Sequence, residues 1–165
     1  NTLDNTTPSV VFTCGFAGGL NPKLPTGTVL HSSSAEFGLT KAGSRKSVFY
    51  CGDRVLVTPE EKKRCRNQTG ADAVEMESGA IHEFCQKSGI PCATVRVISD
   101  AANEALPLDF NNLMNENMTL RNSTLAVAIL RRPWRIPALI RFSRQVKSAA
   151  DNLTAVLTRV DQSNP

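Results

Sequence analysis

The 165-residue sequence predicts an α/β fold: a mostly parallel or mixed twisted sheet flanked by helices. Three observations carry that reading. Short β-branched runs recur without alternating polar positions, as strands covered on both faces require. Segments with helix start and stop signals lie between them, so strands and helices alternate. The length suits one domain, residues 1–165, with a core that needs no staples.

Val10–Cys14, following Pro8, reads as a buried strand that empties into a glycine-rich turn, Gly15-Phe16-Ala17-Gly18-Gly19. Thr28–His31 is the next candidate strand, set off by Pro25 and Gly27. Residues 32–45 are small, polar and without clear period. Ser47–Cys51 reads as a strand, and Thr58-Pro59-Glu60-Glu61 then opens a helix: Thr58 suits the N-cap, Pro59 the first turn, and Glu61 completes a capping box. Val74–Met76 is a short strand, and a helix follows from Ser78 to Lys87, closed by Gly89 and Pro91. Ala93–Ile98 is the clearest buried strand. An acidic, amide-rich loop follows Asp100 and leads to a segment around residues 110–114. From about 137 to 160 the spacing of Leu139, Ile140, Val146, Ala150, Leu153 and Leu157 predicts a long amphipathic helix.

Composition excludes several classes. Hydrophobic residues at 41% and charged residues at 21% describe an ordinary globular protein. No apolar run is long enough to span a bilayer. The cysteines, Cys14, Cys51, Cys65, Cys85 and Cys92, show neither CxxC pairing nor zinc spacing, and read as free thiols in a reducing compartment. The sequons at Asn5, Asn67, Asn117, Asn122 and Asn152 point the other way, but such triplets arise readily by chance. The expectation is a cytoplasmic protein without metal or organic cofactor.

The net charge is only +4, yet Arg131, Arg132, Arg135, Arg141, Arg144 and Lys147 concentrate positive charge toward the C-terminus. With one Trp and one Tyr to stack bases, nucleic acid is not the expected partner. The stretch reads either as a solvated helix face or as a basic amphipathic surface in peripheral contact with the inner face of a membrane.

Three acids mark the candidate chemistry. Glu75 and Glu77 sit two apart at the end of an apolar run, so on extended backbone both face one side and can accept hydrogen bonds from a vicinal diol. They equally suit a helix N-terminus, where the macrodipole favours acids. Asp100 closes the run Val95-Arg96-Val97-Ile98-Ser99. A buried carboxyl there suits a general acid, whereas an exposed one suits a helix cap. The glycine-rich turn offers backbone N–H groups to an anion, or is only a tight strand exit; no Gly-Lys-Ser/Thr follows it. His31 and His82, the two histidines, show no clustering.

Three blocks in this order resemble the purine nucleoside phosphorylase and methylthioadenosine/S-adenosylhomocysteine nucleosidase superfamily. Val10–Leu20 resembles its glycine-rich ribose and anion loop, Val74-Glu75-Met76-Glu77-Ser78 its ribose signature, and Val95-Arg96-Val97-Ile98-Ser99-Asp100 the strand ending in its purine-protonating acid. Arg132-Pro133-Trp134-Arg135-Ile136-Pro137-Ala138-Leu139 resembles the hopanoid-associated branch, whose implied substrate is an adenosylated lipid.

The resemblance implies a three-layer α/β/α sheet, a nucleoside substrate, a homodimer or higher oligomer, and cleavage of a purine N-glycosidic bond with release of adenine. It implies Asp100 as general acid, oriented by Ser99, and Glu77 as the partner of the ribose hydroxyls, with Glu75 beside it. Met76 is implied against the sugar, Val55 and Leu56 against the base, and Phe16, Ala17 and Gly18 at the nucleophile pocket. Thr13 and Phe16 stand where phosphorolytic relatives carry an arginine and a serine, which favours water over phosphate as co-substrate. The resemblance begins part-way into the family domain, so an N-terminally truncated domain is expected, lacking the opening glycine loop and the acid that activates water. Phosphorolysis, or a catalytically incomplete nucleoside-binding domain, are the alternatives.

Overall fold

The computed structural model describes residues 8–35, 37–113, 130 and 133–163. Its strands are β1 (Val11–Gly19), β2 (Val29–Ser33), β3 (Arg45–Lys46), β4 (Phe49–Cys51), β5 (Ala73–Glu75) and β6 (Cys92–Asp100). They form a single six-stranded sheet in the order β3-β2-β6-β1-β5-β4. Pairing is parallel for β1–β6, β2–β3 and β4–β5, and antiparallel for β1–β5 and β2–β6, so the sheet is mixed. The helices are α1 (Pro59–Thr69), α2 (Ser78–Lys87) and α3 (Ile136–Ser163), with short 3-10 turns at Phe110–Asn112 and Pro133–Arg135.

β6 shows why the sequence folds this way. Cys92 to Ile98 are all buried, as a strand covered on both faces demands. Ala93, Val95 and Val97 pack with Ala149, Val156 and Val160 of α3 and Val29 of β2 in the main core cluster. The even-numbered side chains serve a different set of partners: Thr94 meets His82 of α2, Arg96 meets Glu75 of β5, and Asp100 meets Lys62 of α1. Strand alternation thus sends Ala93, Val95 and Val97 to the α3 side and Thr94 and Arg96 to polar partners on the other, where Ile98 packs with Ala17, Leu24, Leu30 and Ala73.

The start of α1 forms as its sequence dictates. The Thr58 hydroxyl accepts from the Glu61 N–H at 3.3 Å, and the Glu61 carboxylate accepts from the N–H of Thr58 at 3.1 Å and of Val57 at 2.8 Å. Gly70, at φ +70°, closes the helix. α2 ends before Gly89, at φ +66°.

Two expectations need correction. The glycine-rich stretch is not a turn: β1 continues through Gly19, Gly15 to Ala17 pair in register with Arg96 to Ile98, and after a one-residue shift Gly18 pairs with Asp100. Close approach of strands, rather than turn geometry, requires glycine here. A Cβ on Gly18 would lie 3.2 Å from Val74 Cγ1, and one on Gly19 would lie 3.1 Å from the Asp100 carbonyl oxygen. The second correction concerns β5, which stops at Glu75, so Met76 and Glu77 are not on strand backbone. Glu77 is instead the N-cap residue of α2, at φ −125° and ψ −31°. The segment read as featureless, 32–45, ends in β3, too short a strand to leave a periodic signature. Of the segment around 110–114, residue 114 lies outside the described residues. So do Arg131, Arg132 and the sequons at Asn5, Asn117 and Asn122.

Candidate active site

A cavity of about 400 Å³ opens where β1, β5 and β6 meet. Its wall includes Gly15, Phe16, Ala17 and Gly18 from β1, Met76 and Glu77 after β5, and Ser99 and Asp100 from the end of β6. Ligands of open α/β sheets settle at such strand ends. Val55 and Leu56 close one side, and Phe110 and Phe142, with ring centroids 5.9 Å apart, another.

Asp100 is buried and yet has a face on the cavity. Its Oδ1 accepts from the Ser99 hydroxyl at 2.6 Å, and its Oδ2 lies 2.6 Å from Lys62 Nζ. Lys62 has no exposed surface. Its ammonium uses all three donors: besides Asp100 it donates to the carbonyl oxygens of Ala101 at 2.8 Å and Glu104 at 2.7 Å. Burying an unpaired ammonium would cost several kcal/mol or more, so Lys62 depends on the β6 exit loop as much as the loop depends on it. The Glu104 carboxylate stands beside this group. Burial pushes it up, but the N–H of Ala101, the side chains of Gln145 and Thr26 and the Lys62 charge outweigh burial and hold it below its ordinary value. Gln145 of α3 also donates to the Ser99 carbonyl oxygen at 2.9 Å, tying the third helix to this corner.

The other acids meet a second buried cation. Arg96, 1% exposed, donates to Glu75 Oε2 at 2.9 Å and lies 3.5 Å from Glu77 Oε2. Glu75 also accepts the Glu77 N–H at 3.1 Å, the Ser78 N–H at 2.8 Å and the Ser78 hydroxyl at 2.7 Å. It therefore caps α2 from outside the helix, in keeping with the macrodipole. Burial pushes the Glu75 carboxyl up, and these donors together hold it below the usual glutamate value. Glu77 differs: its side chain is 74% exposed and its carboxylate stands at the cavity mouth.

The profile of the Phosphorylase superfamily matches residues 44–131, more than half of the chain. The chain belongs to the Phosphorylase superfamily. Among relatives of this superfamily protein, the aminodeoxyfutalosine nucleosidase of Helicobacter pylori is 33% identical over 73 residues, which cover 44% of this chain and 32% of the relative. The 5'-methylthioadenosine/S-adenosylhomocysteine nucleosidase of Mycobacterium bovis is 29% identical over 114 residues, covering 69% of this chain and 37% of the relative. The chain thus spans about a third of the length of these relatives. Among solved structures, the 5'-methylthioadenosine/S-adenosylhomocysteine nucleosidase of Helicobacter pylori, with butyl-thio-DADMe-Immucillin-A, superposes at a TM-score of 0.60. Identity there is 18%, over 94% of this chain and 68% of that one. The Streptococcus pyogenes S-adenosylhomocysteine nucleosidase gives 0.62 at 14% identity, over 95% of this chain and 69% of that one. These likenesses establish the fold.

Every site residue that the superfamily resemblance singled out lines the one cavity: Asp100, Glu77, Glu75, Met76, Ser99, Val55, Leu56, Phe16, Ala17 and Gly18. Their roles there are unequal. The Val55 N–H donates to Asn111 Oδ1 at 2.9 Å, and Asn111 Nδ2 donates back to the Val55 carbonyl oxygen at 2.9 Å. Both backbone groups of Val55 are thus engaged. Residues passed over in the sequence are Lys62, Arg96, Phe110, Asn111, Phe142 and Gln145. The sequence does hold a signal for Arg96, a charge flanked by Val95 and Val97 inside a buried strand, which must be paired. Lys62 has no such signal, because it sits among Glu60, Glu61, Lys63 and Arg64 and looks like one more charge on a solvated helix.

Proposed function

We propose that this protein cleaves the N-glycosidic bond of an adenosine-type purine nucleoside by hydrolysis and releases adenine. The observation that carries the reading is the placement of Asp100 and Glu77 on one cavity, with Ser99 on the first and an aromatic wall beside them. In the proposed step Asp100 delivers a proton to the purine ring while the C–N electron pair moves into the base. Glu77 holds the ribose hydroxyls and stabilises the cationic character that develops on the sugar. Leu56 contacts the base through its backbone, Met76 packs on the sugar, and Phe16, Ala17 and Gly18 line the space for the nucleophile. The relatives named as nucleosidases support this reading.

Water is the proposed nucleophile. A phosphate needs an uncompensated cation, but Arg54 on the cavity wall pairs with Glu61 at 2.8 Å, and Arg96 behind the wall already faces two carboxylates. Phe16 lines the cavity where an anion ligand would serve phosphate, and Thr13 is buried. No cofactor takes part in this scheme. Incubation with methylthioadenosine, with and without phosphate, tests it: adenine appears in both, without 5-methylthioribose 1-phosphate. Phosphate-dependent release would replace hydrolysis by phosphorolysis, and binding without product would make the chain a nucleoside-binding domain.

The proposed surroundings of the enzyme are an anionic membrane surface and a second copy of the chain. No described helix is long and apolar enough to cross a membrane. Exposed Trp134, Ile136 and Ile140, next to exposed Arg141, Arg144 and Lys147, support peripheral contact, and with it the adenosylated lipid of the hopanoid-associated branch as substrate. Flotation with anionic vesicles at low salt carries the protein upward if this holds, and leaves it at the bottom otherwise. Sedimentation of the same sample reads the oligomeric state.

A further inference from the structure

We propose that Lys62 is the positioning residue of the proton donor: it holds the proton that Asp100 passes to the departing purine. The inference rests on the hydrolytic reading above and goes beyond it in naming where the proton resides. Lys62 does not reach the cavity. It stands behind Asp100, with no exposed surface, and its ammonium meets Oδ2 at 2.6 Å. The opposite carboxylate oxygen, Oδ1, is held by the Ser99 hydroxyl at 2.6 Å.

Carboxylate and ammonium, 2.6 Å apart, together hold one transferable proton. As the glycosidic bond breaks, its electron pair passes to the base. The base takes a proton at its ring nitrogen from the Asp100 carboxyl, and Lys62 Nζ passes a proton to Oδ2. The pair is left as carboxylate and neutral amine, balanced by the positive charge on the ribosyl carbon. Water adds to that carbon and loses a proton to solvent, and Lys62 regains one from solvent. The carbonyl oxygens of Ala101 and Glu104 keep the amine in place throughout. The Glu104 carboxylate, itself bonded by Ala101 N–H at 2.9 Å and Gln145 at 2.9 Å, is the other charged group at this corner.

The test uses two nucleosides, methylthioadenosine and its N7-methylated form. The second carries its positive charge already, and its base leaves without a proton. Lys62→Met is expected to lower kcat on the first by about 100-fold or more, the range of general-acid effects, with KM little changed. On the second its kcat stays within about tenfold of the unsubstituted protein. Lys62→Arg keeps the charge but cannot surrender a proton, and is expected to follow Lys62→Met. Equal losses on both nucleosides would reduce Lys62 to an anchor of the exit loop and overturn the relay. Full activity of Lys62→Arg on methylthioadenosine would overturn it as well. If the unsubstituted protein releases base from neither nucleoside, the hydrolytic reading itself fails. The substitution pattern in an active protein, by contrast, judges the relay alone.

Discussion

Two buried cations serve the same cavity in opposite ways. At the Glu75 corner, Arg96 and the start of α2 surround one carboxylate completely, and a second, Glu77, remains at the mouth with most of its side chain in solvent. At the Asp100 corner there is one carboxylate for both purposes: Oδ2 faces the cation and the same group lines the cavity. The first corner separates support from chemistry, so that one acid can be lost while the other stays. The second corner merges them. Any change to Lys62 acts on the proposed proton donor itself, and any change to Asp100 leaves a buried ammonium without its counter-ion.

The largest expected effect follows from that merger. Asp100→Asn keeps the shape and can still accept from Ser99, but removes the transferable proton and leaves the Lys62 ammonium without its counter-ion, so the fold is destabilised as well. Adenine release is expected to fall by about 10²–10⁴-fold in kcat, with nucleoside binding by calorimetry little changed. Retention of full activity would take the general-acid role away from Asp100. Next comes Glu75→Ala, which strips Arg96 of its nearest partner and α2 of its external cap. Leaving a buried charge unpaired costs about 3–5 kcal/mol, read as a lower denaturant midpoint at unchanged slope. A loss below about 1 kcal/mol would mean that Glu77 swings in to replace Glu75, and the two acids would no longer be distinct in role.

How much of this was legible in the chain follows the same division. The strands around Val95–Ile98 and the capping box at Thr58 were readable because burial on both faces and cap chemistry are local properties. The site blocks were readable because Glu75, Glu77 and Asp100 fall at the ends of those strands. The glycine run misled, since Gly18 and Gly19 are required by neighbours 50 or more residues away in the chain, Val74 and Asp100, and sequence shows no such contact. Lys62 stayed hidden for the same reason: its ligands Asp100, Ala101 and Glu104 come from the far end of β6. Alternation placed Glu75 and Glu77 on one face of a strand. In the structure Arg96 gathers both carboxylates, although the strand ends between them.

A smaller effect concerns acid. Glu61, Asp72, Glu75 and Glu104 all sit below their ordinary values, in each case because hydrogen bonds and cations outweigh the upward push of burial. A carboxyl depressed in the folded chain stabilises it above the unfolded value, 4.5 for glutamate, and that stabilisation is lost as pH falls through the folded value. Thermal midpoints are therefore expected to be flat toward neutrality and to drop below about pH 4.5. In Glu75→Gln the protein starts less stable and the acid drop is shallower, because one of the depressed carboxyls is gone. An unchanged acid drop would place the stabilising protonation elsewhere.

The smallest effect on stability is the sharpest test of the comparison. Glu77 lies 3.5 Å from Arg96, too far for a short charge-assisted bond, and its side chain is 74% exposed. Water screens such a pair, and an exposed partner adds little to folding. Glu77→Gln is expected to shift unfolding by no more than about 0.5 kcal/mol. Adenine release should nonetheless fall by about tenfold or more in kcat/KM, because an amide stabilises a developing sugar cation less well than a carboxylate does. The pattern expected across the two neighbours is then a crossed one, with Glu75 substitutions read mainly in stability and Glu77 substitutions mainly in rate. If Glu77→Gln instead destabilised the fold as strongly as Glu75→Ala, both acids would belong to the Arg96 support. The ribose would then need another partner in the cavity wall.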